Sequence, residues 1–210
     1  INVDLIYGLP MQTPESFDRT LAQINELRPD RIALYAYAHL PERFKAQRRI
    51  DALELPSASA KVAMLSRSMA AFMKAGYVYV GMDHFALPND ALAIAKRQGR
   101  LHRIFQGYRT QPDCDLIGLG VSSIGRIGAT YSQNVKTIEE YYDYLDQSRF
   151  PVMHGLALSR DDIVRRAVIM ALMCQGQLDF DAVEAAHLLE FKSYFAKEME
   201  ELKLLAEQGL

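Results

Sequence analysis

The sequence contains no tryptophan and only two cysteines, Cys114 and Cys174, in 210 residues. Neither cysteine has a second Cys or a His at the spacing of a metal site, and two cysteines cannot form a disulfide framework. We expect both to be small buried residues. Sparse cysteine favours a reducing, cytoplasmic location.

The chain also lacks a strong excess of charge and a long apolar run. Its formal net charge is -2, so no overall basic field favours nucleic acid or an anionic membrane surface. No apolar run reaches the roughly 20 residues that a spanning helix needs, and the N-terminal residues show no signal-peptide pattern. The hydrophobic fraction of 50% is typical of a globular protein with a substantial core.

Both ends of the sequence have the pattern of a protein interior. Residues 1–7 already form an apolar run, without a leading turn or an initiator Met. The last residues follow a predicted helix and the glycine that would end it. We therefore expect this chain to be a piece of a longer protein.

The first third of the chain predicts alternating strands and helices. Residues 3–9 form an apolar run with one acid, Asp4, which is typical of a parallel strand covered on both faces. Residues 13–15 (Thr-Pro-Glu) predict a helix start, residues 31–38 a second strand, and residues 57–76 a second helix. This order resembles the end of a (β/α) barrel, whose functional residues collect at the C-terminal ends of strands. The candidates at such ends are Asp4, Tyr7, Tyr37, Ala38 and His39.

The remaining sequence predicts two further parts. Residues 77–86 and 101–108 combine aromatic side chains with groups that donate, accept or transfer protons, which is typical of an active-site wall. Additional predicted elements are helices over 42–50, 89–97 and 137–147, a strand over 115–120, and tail helices over 159–174, 181–191 and 192–207. We expect barrel elements in 1–76, a pocket-forming extension in 77–155 and a small helical domain in 156–210.

Three motifs have two interpretations each. The Gly118-x-Gly120-x-x-Ser123 run lacks the third glycine and the helix of a dinucleotide site; its glycines either let the backbone approach a flat ligand or form a plain tight turn. Asp83-His84 is either an acid–base pair or a structural pair. Asp4, within an apolar strand, needs either a nearby Arg or ligand hydroxyls as its partner.

Arg103, next to His102, is placed to receive an anionic substrate.

Five motifs resemble those of one enzyme family. The run DLIYGLPMQT at residues 4–13 resembles a strand and turn of the radical S-adenosylmethionine (SAM) enzymes. YAHLP at 37–41, GMDHFA at 81–86, LHRIFQGY at 101–108 and GLGVSSI at 118–124 narrow the resemblance, by their order and spacing, to the oxygen-independent coproporphyrinogen III oxidase family. The similarity extends over essentially the whole chain.

This resemblance implies an activity and two kinds of cofactor. The family converts two propionates of coproporphyrinogen III to vinyl groups, giving protoporphyrinogen IX for haem synthesis. It uses two SAM molecules and a [4Fe-4S] cluster bound by a C-x3-C-x2-C motif. That motif is absent here, so we expect its ligands to precede residue 1 and expect no metal ligand in this chain.

The resemblance also assigns residues by motif position. Asp4 and Ala38 would contact the second SAM, and Ile124 the first. Phe105 and Gln106 would line the same cavity, with His84 and Arg103 as candidates on the substrate side. The chain departs from the family at Ile104, where Asn is typical, and within the glycine run at 125–126.

Two other functions compete with this one. A haem-binding chaperone of the same superfamily is the alternative, although the runs at 83–85 and 105–108 argue against it. A barrel enzyme without radical chemistry is the third possibility. We expect a monomer that binds coproporphyrinogen III, with an unidentified electron donor, no nucleic-acid or membrane partner, and no activity for this fragment alone.

Overall fold

The fold comes from a computed structural model, which describes residues 1–104, 107–111 and 114–209. The chain separates into two compact units, Ile1–Thr110 and Gln111–Leu210. The division predicted at residues 76 and 155 separates parts by function, not by compactness, and stays a prediction.

The first unit begins with the predicted strand–helix–strand motif. Strands β1 (Asn2–Tyr7) and β2 (Arg31–Ala36) are parallel neighbours, joined by helix α1 (Pro14–Leu27). The Thr13 hydroxyl accepts a hydrogen bond from the Ser16 backbone N–H, and Pro14 occupies the first turn. This arrangement satisfies N–H groups that have no partner inside a helix, so the local sequence is sufficient to start α1 here.

The rest of the first unit completes an open sheet, and no closed barrel is seen in the described residues. The strand order is β1-β2-β4-β3, with β4 antiparallel to both of its neighbours. β4 follows β3 after a tight turn and lies between β3 and β2. In a simple βα repeat, β3 would be the neighbour of β2. A separate hairpin pairs β5 with β6. The elements are α2 (Ala58–Lys74), β3 (Val78–Gly81), β4 (His84–Ala86), α3 (Ala91–Arg97), β5 (His102–Ile104) and β6 (Gly107–Arg109).

Helices α1 and α2 cover one face of this sheet only. On β1, Leu5 and Tyr7 are buried, whereas Asp4 and Ile6 on the opposite face are exposed. The prediction that β1 is covered on both faces is therefore wrong for the described residues, because both packing helices lie on the same side. The core cluster consists of Leu5, Tyr7, Phe17, Leu21, Ile32, Leu34, Met64, Phe72, Tyr77 and Phe85.

The helix predicted over residues 42–50 is confirmed only in part. The structure has a short 3-10 helix, Lys45–Arg49. The Arg48 guanidinium donates from Nε to the carbonyl of Pro41 at 2.8 Å, and Gln47 bonds to the same preceding loop. Side-chain bonds to the loop backbone replace the regular ladder of an α-helix here.

The second unit contains an antiparallel sheet followed by helices. The strands β7, β8 and β9 form a meander, with α4 between β8 and β9. The predicted strand over 115–120 provides only an isolated bridge between Leu116 and Arg126, while β8 and β9 were not predicted. The elements are β7 (Ile124–Ile127), β8 (Thr130–Asn134), α4 (Ile138–Asp146), β9 (Val152–Ala157), α5 (Arg160–Gln175), α6 (Phe180–His187), α7 (Phe191–Tyr194) and α8 (Ala196–Glu207).

The helices after β9 pack around their own small core. Val164 is fully buried there and contacts a cluster that includes Val183, Phe191 and Phe195. Ser159 caps α5 as predicted. Among the described residues, no helix combines the length and the apolar character needed to cross a bilayer.

Candidate functional site

The sheet face opposite α1 and α2 contains several of the predicted site residues. Strand register pairs Asp4 with Ala33, Ala33 with His84, and Ile6 with Tyr35. Residues in register project from the same face of a sheet. Asp4 and His84 therefore lie on the face opposite α1 and α2, although 79 residues separate them in the sequence.

Asp4 presents a carboxylate on this face without an ionic partner in the described structure. Its Oδ1 accepts a hydrogen bond from Asn2 Nδ2 at 2.8 Å, and none of the described basic side chains pairs with it. The proposed alternative of a neighbouring Arg is therefore not realised in the described part of the chain. An exposed carboxylate of this kind can accept hydrogen bonds from hydroxyl or amino groups of a ligand.

Asp83 and His84 form a close pair. His84 Nδ1 lies 2.6 Å from Asp83 Oδ1, and only 14% of the His84 side chain is exposed. The imidazole also lies edge-on to two phenol rings, those of Tyr35 at 6.2 Å and Tyr108 at 5.4 Å between centroids. If Nδ1 donates to the carboxylate, the neutral ring keeps Nε2 as an acceptor.

Arg103 lies next to this pair on the β5–β6 hairpin. Its guanidinium stacks over the Tyr108 ring, 4.8 Å from the centroid, because Arg103 and Tyr108 are paired in register. Arg103 Nη1 is buried and has no hydrogen-bond partner among the residues that the structure describes. The predicted site residues Phe105 and Gln106 lie outside those residues.

The pKa of the Tyr35 hydroxyl depends on the charges of the surrounding groups. Burial raises the pKa of Tyr35, and the negative charges of Asp4 and Asp83 raise it further, whereas the positive charge of Arg103 lowers it. Its phenol therefore stays protonated at neutral pH. Tyr35, Asp83 and Arg103 together make this face polar and aromatic.

Ala38 lies on the loop that follows β2, and a residue missed by the sequence interpretation fixes this loop. Gln47 accepts a hydrogen bond from the Leu40 N–H at 2.5 Å and donates one to the Ala38 carbonyl at 3.0 Å. The hydroxyl of Tyr37 lies 3.4 Å from His39 Nδ1. No local pattern distinguishes Gln47 from the basic residues around it, so this role had no signal in the sequence.

Ile124 lies in the second unit, at the start of β7. It borders a shallow depression of about 310 Å³, together with Tyr131, His154 and Leu156. The preceding glycine turn is fixed by Asn134, whose Nδ2 donates to the carbonyls of Gly118 and Gly120 at 3.1 and 2.9 Å. Asn134 was not predicted as important.

Local packing accounts for the glycines in this turn. A Cβ on Gly118 would lie 2.9 Å from the backbone C and O of Ile124, and one on Gly125 would lie 2.9 Å from Ser132 Oγ. Gly120 has a φ of +90°, which disfavours other residues. The tight-turn interpretation therefore explains these positions without a ligand.

The described residues do not fit an iron–sulfur cluster. They contain no group of three or more His, Cys, Asp or Glu side chains that could bind a metal ion. Cys174 is buried as predicted, but Cys114 is exposed, so the prediction for Cys114 is wrong. Cluster ligation requires several thiolates close together, and the sequence has only these two cysteines.

Comparisons with known proteins identify relatives over the whole chain. The chain is 51% identical over 209 residues to the oxygen-independent coproporphyrinogen III oxidase of Salmonella typhimurium, of which it covers 46%. It is 51% identical over 210 residues to the enzyme of the same name from Pseudomonas aeruginosa, again covering 46%. For the protein of that name from Thermostichus vulcanus, the identity is 46% over 211 residues and the coverage 65%.

A family model and a solved structure agree with these relatives. Residues 158–210 match the family described as the HemN C-terminal domain. A structure reported as "Coproporphyrinogen III oxidase (HemN) from Escherichia coli is a Radical SAM enzyme" matches 100% of this chain and 48% of its own, with a TM-score of 0.97 and 49% identity. The chain thus spans about half the length of the first curated relatives it matches.

Proposed function

We propose that this chain, a homologue of the C-terminal part of the oxygen-independent coproporphyrinogen III oxidases, belongs to an enzyme with that activity. The reaction would be the SAM-dependent oxidative decarboxylation of coproporphyrinogen III to protoporphyrinogen IX. The main support is the match of the whole chain to 48% of the Escherichia coli structure, with a TM-score of 0.97 at 49% identity.

The open sheet of the first unit would be the last part of a partial (β/α) barrel, with its exposed face toward the barrel interior. Two observations support this proposal. Ile6 and Tyr35 on that face are 44% and 36% exposed, and β1 is an edge strand in the described sheet. Exposed apolar side chains beside a free strand edge are unusual for a complete sheet.

The radical chemistry would depend on groups that this chain does not hold. SAM, when bound beside a reduced [4Fe-4S] cluster, supplies the radical that abstracts hydrogen from a propionate. We propose that the cluster ligands lie in the part of the relatives that this chain does not span, because the described residues do not fit them. SAM fits better, since an accessible carboxylate is present at Asp4.

The residues of this chain would bind and orient the cofactor. Asp4 would accept hydrogen bonds from SAM, and the backbone at Ala38, held by Gln47, would contact the same molecule. Ile124 would pack against the adenine of the other SAM. Phe105 and Gln106 would line the cavity.

Further proposals concern the setting of the enzyme. We propose a cytoplasmic monomer that acts on coproporphyrinogen III and has no nucleic-acid or membrane partner. The sequence composition supports this setting, with a net charge of -2 and two cysteines.

The test uses the full-length gene product under anaerobic conditions. It is incubated with coproporphyrinogen III, SAM and dithionite, and the porphyrins are then oxidised and separated by chromatography with mass detection. We expect each of two propionates to lose CO₂ and two hydrogens and become a vinyl group. Stable haem binding without vinyl formation would contradict the proposal and identify a haem chaperone instead.

Asp4→Asn tests the cofactor assignment in the same assay. Because Asp4 is exposed and bonds only to Asn2 among the described residues, its replacement should leave the melting temperature unchanged. We expect a higher KM for SAM and unchanged absorption of the cluster. Asp146→Asn, at an exposed acid of α4, is the control. An unchanged KM for SAM in Asp4→Asn would show that Asp4 does not contact the cofactor.

A further inference from the structure

The guanidinium of Arg103 is held in one orientation, and no acid in the described part of the chain neutralises it. It stacks on the Tyr108 ring at 4.8 Å, and no described carboxylate lies within ion-pair distance of it. The nearest candidate by position, Asp83, is already paired with His84 at 2.6 Å. Arg103 is therefore a cation fixed by an aromatic ring, with its charge still available.

One hydrogen-bond donor of Arg103 also lacks an acceptor in the described structure. Its buried Nη1 has no hydrogen-bond partner among the described residues. Leaving a buried charged donor without an acceptor costs free energy. Such a group is retained most readily where a ligand supplies the missing acceptor, and the planar fork of an arginine matches a carboxylate or phosphate.

The surroundings favour a carboxylate on an aromatic ligand. The nearby rings of Tyr35 and Tyr108, with the imidazole of His84 between them, provide flat apolar edges beside the positive charge. The adjacent acids Asp4 and Asp83 disfavour a multiply charged phosphate because like charges repel it. A tetrapyrrole with propionate side chains combines the required ring and the required carboxylate.

We propose that Arg103 binds a propionate carboxylate of the substrate, and that Tyr108 is a positioning residue that orients the guanidinium for this contact. This inference rests on the proposed function, which makes a tetrapyrrole the substrate. It deepens that function by naming the residue that recognises a carboxylate of the substrate. Gly107 completes the site. A Cβ there would lie 3.5 Å from His84 Nε2 in a backbone with φ of +148°, so only glycine leaves that edge of the imidazole uncovered without strain.

The test measures binding of coproporphyrin III, the stable oxidised form of the substrate, to the full-length gene product by fluorescence titration. We expect Arg103→Gln to weaken binding about tenfold or more, as for the loss of a charge-assisted hydrogen bond. Arg103→Lys keeps the charge but loses the planar fork, so its affinity should lie between those of the parent and Arg103→Gln. Arg100→Gln, at an exposed arginine bonded to Gln98, should match the parent.

Tyr108 variants separate positioning from general packing. Tyr108→Phe keeps the ring under the guanidinium and should keep the affinity for coproporphyrin III, whereas Tyr108→Leu should weaken it. In turnover assays, Arg103→Gln should raise the KM for coproporphyrinogen III and leave the KM for SAM unchanged. A melting temperature within a few degrees of the parent's would show that these effects are not due to unfolding. If Arg103→Gln is unstable, the affinity of Arg103→Lys for coproporphyrin III decides the test.

The outcomes distinguish this inference from the proposed function. Parental affinity for coproporphyrin III in both Arg103→Gln and Arg103→Lys, with vinyl formation intact in the parent, would overturn the carboxylate site alone. Absence of both tetrapyrrole binding and vinyl formation in the parent would overturn the proposed function and the inference together.

Discussion

His84 Nδ1 and Asp83 Oδ1 lie 2.6 Å apart at the start of β4, where the imidazole also contacts two phenol rings. The Asp83 carbonyl accepts a hydrogen bond from the Leu34 N–H at 2.7 Å. The carboxylate thus orients the ring while the backbone of the same residue attaches the turn to β2. The Asp83–His84 pair therefore holds the imidazole in one orientation.

We predict that Asp83→Asn lowers turnover of the full-length gene product about tenfold or more, since the neutral amide cannot form the charge-assisted bond that orients His84. Turnover is measured as vinyl formation from coproporphyrinogen III. Asp146→Asn serves as the matched control. Parental turnover in Asp83→Asn would mean that the pair supports only the turn.

The second prediction compares two glycines of the second unit. Gly118→Ala places a Cβ 2.9 Å from the Ile124 backbone and should lower the free energy of unfolding by about 1–3 kcal/mol, the usual cost of overpacking. Gly155→Ala, on β9, meets nothing closer than the Tyr131 carbonyl at 3.7 Å. It should change stability by less than about 0.5 kcal/mol. Urea denaturation measures both, and equal effects would refute the steric explanation.

The third prediction concerns pH and the contacts between α5 and the helices that follow it. Hydrogen bonds from Tyr194 and Arg165 hold the pKa of Asp161 below its ordinary 3.8. A hydrogen bond from Arg165 at 2.6 Å lowers the pKa of Glu198 from its ordinary 4.5. Since both pKa values are lower in the folded state, these bonds stabilise it above the ordinary values and are lost as the pH falls through the lowered ones.

Arg165→Met tests this dependence, because it removes the charge and keeps an apolar stem near Phe195. We expect the urea midpoint, followed by far-UV circular dichroism, to be lower than the parent's at neutral pH. The difference should shrink as the pH falls below about 4. It should be small, because exposed ion pairs contribute little. Lys197→Met, whose ammonium lies 3.9 Å from Glu201, is the control. A difference that is constant with pH would contradict the prediction.

Helix starts and the first parallel strand pair could be predicted because their causes are local. Thr13, Ser57 and Ser159 cap α1, α2 and α5 as expected, and the connection between β1 and β2 requires parallel pairing. The homology to coproporphyrinogen III oxidases was also evident from short motifs. The prediction was only partly right at 42–50, where a short 3-10 helix forms, and it failed at 115–120, where the structure has an isolated bridge in place of a strand.

The site itself was only partly predictable. Asp4, His84 and Arg103 were named from the sequence, and the structure brings them to one unit, whereas the roles of Gln47 and Asn134 in holding backbone carbonyls had no sequence signal. A side-chain amide that bonds to a distant main chain has no characteristic spacing, so only coordinates reveal it.

The sequence by itself determined the capped helices, the parallel β1–β2 pair and the family resemblance, since each depends on residues close together in the chain. Tertiary structure alone decided that β4 lies beside β2, that Asp4 and Ile6 of β1 are exposed in the described residues, and that Arg103 stacks on Tyr108 with a buried N–H group lacking an acceptor among them. The physical reason is that strand order and side-chain contacts depend on the free energy of packing the whole unit, which no local pattern specifies.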